Sequence, residues 1–160
     1  MADRTKKVLK YQSDVLEPDE EVLATLLTLP HGGVKSIGVA GGVGGVLGSA
    51  GSSAGMRSGA QKAMDKAQME GDSLAAQFPI GLLLVSVTNK RVLCFSRPSI
   101  QSDKPERLIA AFPKELLVRS WSKRAFMKHN LTLEFSDGST LLLDSGIFQP
   151  HAKFHTAVAG

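Results

Sequence analysis

His151 and His155 are four residues apart, the spacing that puts two imidazoles on one face of a metal-binding helix. Between them stand Ala152, Lys153 and Phe154, without the Glu of an H-E-x-x-H helix, and no third ligand lies nearby in sequence. The pair therefore reads as two partly exposed histidines on a terminal helix. Cys94 falls in an alternating apolar stretch and reads as a small structural residue rather than a nucleophile. His31 and His129 fall in expected turns, with no identifiable Ser or Asp partner. These residues assemble no catalytic constellation, no metal set and no cofactor site, so an enzyme is not expected.

Two further patterns invite chemistry. The glycine-rich run carries Gly42 and Gly44, but Leu47 stands where G-x-G-x-x-G needs its third glycine, and no Gly-Lys-Ser/Thr follows. A phosphate-binding loop is therefore not expected. Arg119, Lys123, Arg124 and Lys128, with Trp121 and Phe126, have the residue types of a base-stacking surface. With one Trp, one Tyr and seven Phe in 160 residues, a stacking platform is poorly supplied. The stretch reads as a solvated strand edge and loop, and nucleic acid is not an expected partner.

The elements that would carry these residues follow from periodicity. Val8, Tyr11 and Val15 give residues 3–16 one apolar helical edge, which ends before Pro18. Residues 21–29 suit a strand closed by Pro30 and Gly32-Gly33. From residue 80 the texture is β. An apolar strand over 80–87 turns at Asn89-Lys90 into 91–97, where Leu93 and Phe95 alternate. Strands follow over 107–112 and 116–123, around Pro113. In 130–135, Leu131, Leu133 and Phe135 face one way, and Asp137-Gly138 turns the chain into 140–143. A short helix over 149–158, with Phe154 and Val158 four apart, closes the chain.

Between the first strand and the rest lies a stretch of different character. No charge occurs between Lys35 and Arg57, and eight of those 21 residues are Gly and four are Ser. Gly38/Gly42, Gly41/Gly45, Gly44/Gly48 and Gly51/Gly55 are each four apart, which on a helix stacks glycines where another helix can approach. The following 60–77 is rich in helix formers, so 34–77 reads as a helical insertion broken near Gly51-Ser52-Ser53. As helix, the uncharged run would span about 31 Å, enough for a bilayer core. Its glycine and serine content favours a soluble hairpin or a self-association surface instead.

Composition sets the broad class. One domain over 1–160 is expected, with 19 basic against 15 acidic residues, a balance that favours acidic surfaces weakly. A lone cysteine fits a reducing compartment, and the first residues carry no apolar signal-peptide core, so a cytoplasmic protein is expected.

The pattern GLLLVSVTNKRVLCFSR, then ELLVRSW, then LTLEFSDGSTLLLDS with a closing helix, resembles bacterial pleckstrin-homology-like (PH-like, GRAM-like) domains over residues 17–30 and 80–158. The resemblance implies an α+β, mainly β fold: a seven-stranded, partly open barrel of two packed sheets with the terminal helix plugging one end. It also places the first loop at an open end that often meets lipid headgroups. Lys35, Arg57, Lys62 and Lys66 flank that loop, and Arg97 and Lys104 come from the third-to-fourth-strand loop. The second strand carries no charge, unlike phosphoinositide-binding members, which usually place basic residues there. The expected work is binding without catalysis. A protein partner or a second copy is engaged through the glycine-rich insertion, the alternative being peripheral attachment to an anionic membrane.

Overall fold

The computed structural model describes residues 4–32 and 73–160. The chain opens with α1 (Arg4–Tyr11) and a 3-10 turn (Ser13–Val15), then β1 (Val22–Pro30). A four-residue helix, α2 (Leu74–Gln77), precedes β2 (Leu83–Thr88), β3 (Arg91–Ser96) and β4 (Arg107–Pro113). A 3-10 turn (Lys114–Leu116) leads to β5 (Leu117–Arg124), β6 (Lys128–Phe135), β7 (Thr140–Gly146) and α3 (His151–Ala159). The seven expected strands are present. β6 starts two residues earlier than the alternation indicated, and β7 runs three residues longer. The helix expected over 3–16 is shorter: α1 stops at Tyr11, and the chain tightens into the 3-10 turn. The glycine-rich stretch and most of the expected insertion, residues 33–72, lie outside the described residues.

All strands pair antiparallel in one continuous, unclosed sheet of order β4-β3-β2-β1-β7-β6-β5, where the resemblance implied a partly open barrel of two packed sheets. β4 and β5 are its two edges, yet only Lys114–Leu116 separates them in the chain. The sheet must therefore curl until its edges reach the same corner, although it does not close. Both edges are bulged: Ile109 on β4 and Val118 on β5 are extra residues in the register, and both are exposed. A bulged edge is a poor template for another strand. Phe78, just after α2, fills the gap at that corner, stacking on Phe112 of β4 at 5.7 Å and tilting against Phe135 of β6 at 5.9 Å.

Covering both faces of β2 and β3 explains their unbroken apolar texture. On the inner face, Leu83, Val85, Val87, Val92 and Cys94 join Leu131, Leu133, Phe135, Leu141 and Leu143 under Phe154 and Val158 of α3. On the outer face, Leu84, Leu93 and Phe95 pack with Val8 of α1. Tyr11, expected on that apolar edge, is exposed instead, with the Lys104 ammonium 4.6 Å from its ring centre. Where the outer core meets the β2–β3 turn, buried Glu20 accepts from Arg91 Nη2 at 2.6 Å and from the Thr88 hydroxyl at 2.7 Å. Burial alone would raise the Glu20 pKa, but the bonds from Arg91, the Glu17 backbone and Thr88 outweigh it and hold it at about 2. Asp137 ties the last hairpin to α2. It accepts from Leu74 N–H at 2.7 Å and Ser139 N–H at 2.9 Å, with Gly138 at φ +81° making the turn.

Candidate functional site

On the outer face, α1 and the end of β3 bring two guanidinium groups to one cleft of about 370 Å³. Arg97 continues β3 by donating its N–H to Leu82 at 3.1 Å, and the residue is 6% exposed. Its Nη1 donates to the carbonyls of Ile100 at 3.3 Å and Ser102 at 3.0 Å. Its Nε has no acceptor, nor do Nε and Nη1 of Arg4. Desolvation lowers the Arg97 pKa to about 10, and the charge of Arg4 pushes the same way against Asp103. Asp103 is bonded to Lys7. Leu27, Leu29, Ile100 and Ile147 make much of the remaining wall apolar, with Gln149 also lining it.

The most exposed large apolar side chains among the described residues lie at this cleft or next to it in the chain. Met127, in the β5–β6 turn, and Phe148, between β7 and α3, both line it. Exposure reaches 93% for Phe126, 63% for Met127 and 78% for Phe148. Lys123 and Arg124, at the end of β5, are exposed immediately before that turn.

A second polar cluster lies where α3 crosses β5, β6 and β7. His155 is hydrogen-bonded through Nδ1 to the Ser120 hydroxyl at 2.8 Å and through Nε2 to Ser122 at 3.0 Å. His151 Nε2 meets the Ser145 hydroxyl at 3.1 Å, and its ring stacks on His129 at 4.1 Å. His151 is thus buried rather than partly exposed, and His129 lies in β6 rather than in a turn. His129 is the third histidine absent from the sequence neighbourhood. Stacked rings do not converge their nitrogens on one point, and no group of three or more His, Cys, Asp or Glu among the described residues is placed to hold a metal. Each imidazole of α3 has a hydroxyl beside it, but the nearby carboxylate is committed elsewhere. Asp144 accepts from Lys128 Nζ at 2.6 Å and Gly32 N–H at 2.8 Å, with His31 Nδ1 at 2.9 Å. His31 therefore has the carboxylate partner that the sequence did not indicate.

Burial, with smaller contributions from His129 and His155, lowers the His151 pKa from 6.5 to about 4. Burial and His129 lower that of His155 too. An unfolded chain binds these protons more readily, so their contribution to stability is complete above pH 6.5 and is lost as pH falls towards 4. The Glu20 contribution is lost only below 4.5, so the two windows overlap only between 4.5 and 4. Melting temperature should therefore drop between those first two pH values, and His151→Gln should flatten the drop. An equal slope in the variant would contradict this origin.

The structure distributes the candidate residues unevenly. Arg97 enters the cleft as a buried residue, whereas Lys104 stays at the surface over Tyr11. Lys128, read as part of a solvated edge, is buried on Asp144. Arg119 does stay at the edge, 68% exposed, paired with Glu134 at 2.7 Å and lying over Trp121. Cys94 is buried, and burial raises its pKa, as expected of a structural thiol. The flanking bases Lys35, Arg57, Lys62 and Lys66 lie outside the described residues. So do all the glycines expected to pack helix on helix: Gly38, Gly41, Gly42, Gly44, Gly45, Gly48, Gly51 and Gly55. The described structure therefore brings none of these to the cleft. Sequence reasoning missed Arg4, Met127 and Phe148. Only the Lys123-Arg124-Ala125-Phe126-Met127 run carried a signal, as two bases beside two large apolar residues. Comparison with family models, with curated proteins and with solved structures gave no match.

Proposed function

We propose that this chain is a non-enzymatic, PH-like binding module that seats on an anionic membrane surface through the β5–β6 turn and Phe148. Support for the PH-like reading comes from the antiparallel strand order and from α3 packed against β5, β1 and β2. The observation that carries the membrane reading is the exposure of Phe126 and Met127 in the turn that follows exposed Lys123 and Arg124, with exposed Phe148 lining the same cleft as Met127. Large apolar side chains fully in water beside like-charged bases fit a surface that is apolar below and negative above. Each buried phenylalanine contributes about 1.5–3 kcal/mol, and each base near an anionic surface about 1 kcal/mol. No helix among the described residues is long and apolar enough to cross a membrane.

The test is co-sedimentation with phosphatidylcholine vesicles, with and without phosphatidylserine. The wild type should bind the anionic vesicles, and Phe126→Ser should weaken binding by about tenfold or more. Lys123→Gln with Arg124→Gln should remove most of the salt dependence. Equal binding by Phe126→Ser, or a wild type that ignores anionic vesicles, would overturn the reading. So would a dimer of the wild type that dissociates in Phe126→Ser, which assigns the turn to a second copy.

A further inference from the structure

We infer that α3 is an acid-released latch: protons taken up by the histidine cluster beneath it undock this helix while the sheet stays folded. Three imidazoles from two elements share one seam. His151 stacks on His129 of β6 at 4.1 Å, and His155, four residues on along α3, lies 6.4 Å from His151. The two α3 rings reach the strands through hydroxyls, Ser120 and Ser122 of β5 on His155 and Ser145 of β7 on His151. His129 Nδ1 is buried without a hydrogen-bond partner. Such a seam accommodates neutral rings. A hydroxyl carries no charge, so an imidazolium there loses hydration without gaining a counter-ion.

The charged neighbours make this worse. Arg124, opposite His129 in the β5–β6 register, is a cation. So are Lys153 of α3 and Lys114 of the turn before β5, which line one cleft with Thr156. From β1 and β2, the core residues shared with Phe154 and Val158 are Ala24, Leu26, Leu83, Val85 and Val87, none of which titrates. Asp144 is next to Ser145, but alternation puts it on the other face of β7, where it holds Lys128 and His31. Protons on two of these rings therefore repel each other and the cations around them.

The helix gives way before the sheet because it shares no ladder bond with any strand. Its hold is Phe154, Ala157 and Val158 in the inner core, together with the imidazole–hydroxyl contacts. Elements held by few bonds open at less than the free energy of global unfolding. Gln149, bonded to the Leu27 N–H at 2.6 Å and its carbonyl at 3.0 Å, anchors the chain where α3 would swing away. Undocking returns both rings to water, where they take protons readily. With His151 moving from about 4 when docked to 6.5 when free, this residue alone raises the undocked fraction about twentyfold between pH 7 and 5. His155, lowered by the same burial, adds to it. Release uncovers Phe154 and Val158 with Leu131 and Leu133 beneath them, an apolar surface that neutral pH keeps closed.

Hydrogen exchange of the full chain at pH 7, 6 and 5 tests this, with rates corrected for the intrinsic pH dependence of amide exchange. The opening constant of the α3 amides should rise about twentyfold or more from pH 7 to 5. At pH 5 it should exceed that of the β2 and β3 amides by about tenfold or more. In His151→Gln, whose carboxamide stays neutral, the rise should be smaller by about fivefold or more. Each chain is its own reference, so a weaker dock at neutral pH does not disturb the comparison. The imidazole C2–H resonances of wild type give a second reading without any variant, and the His151 midpoint should fall well below 6.5. Equal opening constants for α3 and the sheet would assign the acid effect to global unfolding and overturn the inference. An α3 opening constant that does not change with pH, an equal rise in His151→Gln, or a His151 midpoint at or above 6.5 would overturn it too. No vesicle enters the measurement, so its failure and that of the membrane reading are separately visible.

Discussion

Asp144→Ala should destabilise the chain by about 3–5 kcal/mol, the range for removing one partner of a buried ion pair. The Asp144 side chain is fully buried and that of Lys128 nearly so, 2.6 Å apart across β7 and β6. Without the carboxylate, Lys128 keeps a buried ammonium with no counter-charge, and the Gly32 N–H loses its acceptor. The loss should appear in urea unfolding as a lower midpoint at unchanged slope. Asp144→Leu combined with Lys128→Met should recover a large part of it, because a buried pair is often no better than apolar residues of its volume. A double variant as unstable as Asp144→Ala would show that the His31 and Gly32 contacts, not the ion pair, carry the effect.

Leu133→Ala should cost about 2–5 kcal/mol. Leu133 is fully buried in β6, opposite Leu141 of β7 and Ser120 of β5, in the inner core under Phe154. Neighbours on β5, β7 and α3 limit how far the site collapses, which places the cost towards the upper part of that range. Thr132→Ala is the control. Its side chain points to the opposite face, and the change should stay within about 0.5 kcal/mol, as surface substitutions do. Equal losses at the two positions would mean the register of β6 is wrong.

The sequence alone determined the strands and their inward faces. The Leu131, Leu133 and Phe135 alternation fixed a register that a one-residue slip would have inverted, and Asp137-Gly138 fixed its turn. It also showed that 80–87 is an apolar strand without a charge; that both faces of Leu83–Thr88 are covered is visible only in the fold. Only the tertiary structure decided what covers the outer face, because α1 reaches Leu84, Leu93 and Phe95 across more than 70 residues of chain. The polar residues were the least legible. Lys128 reads as a surface base until β7 places Asp144 against it, and His129 as a turn residue until α3 lays His151 on its ring. Arg4 and Arg97, 93 positions apart, become one cleft only when α1 docks beside the end of β3. Periodicity reports which face of an element is apolar, and that property is local. Burial of a charge, its partner and its lack of one depend on elements that the chain brings together only on folding.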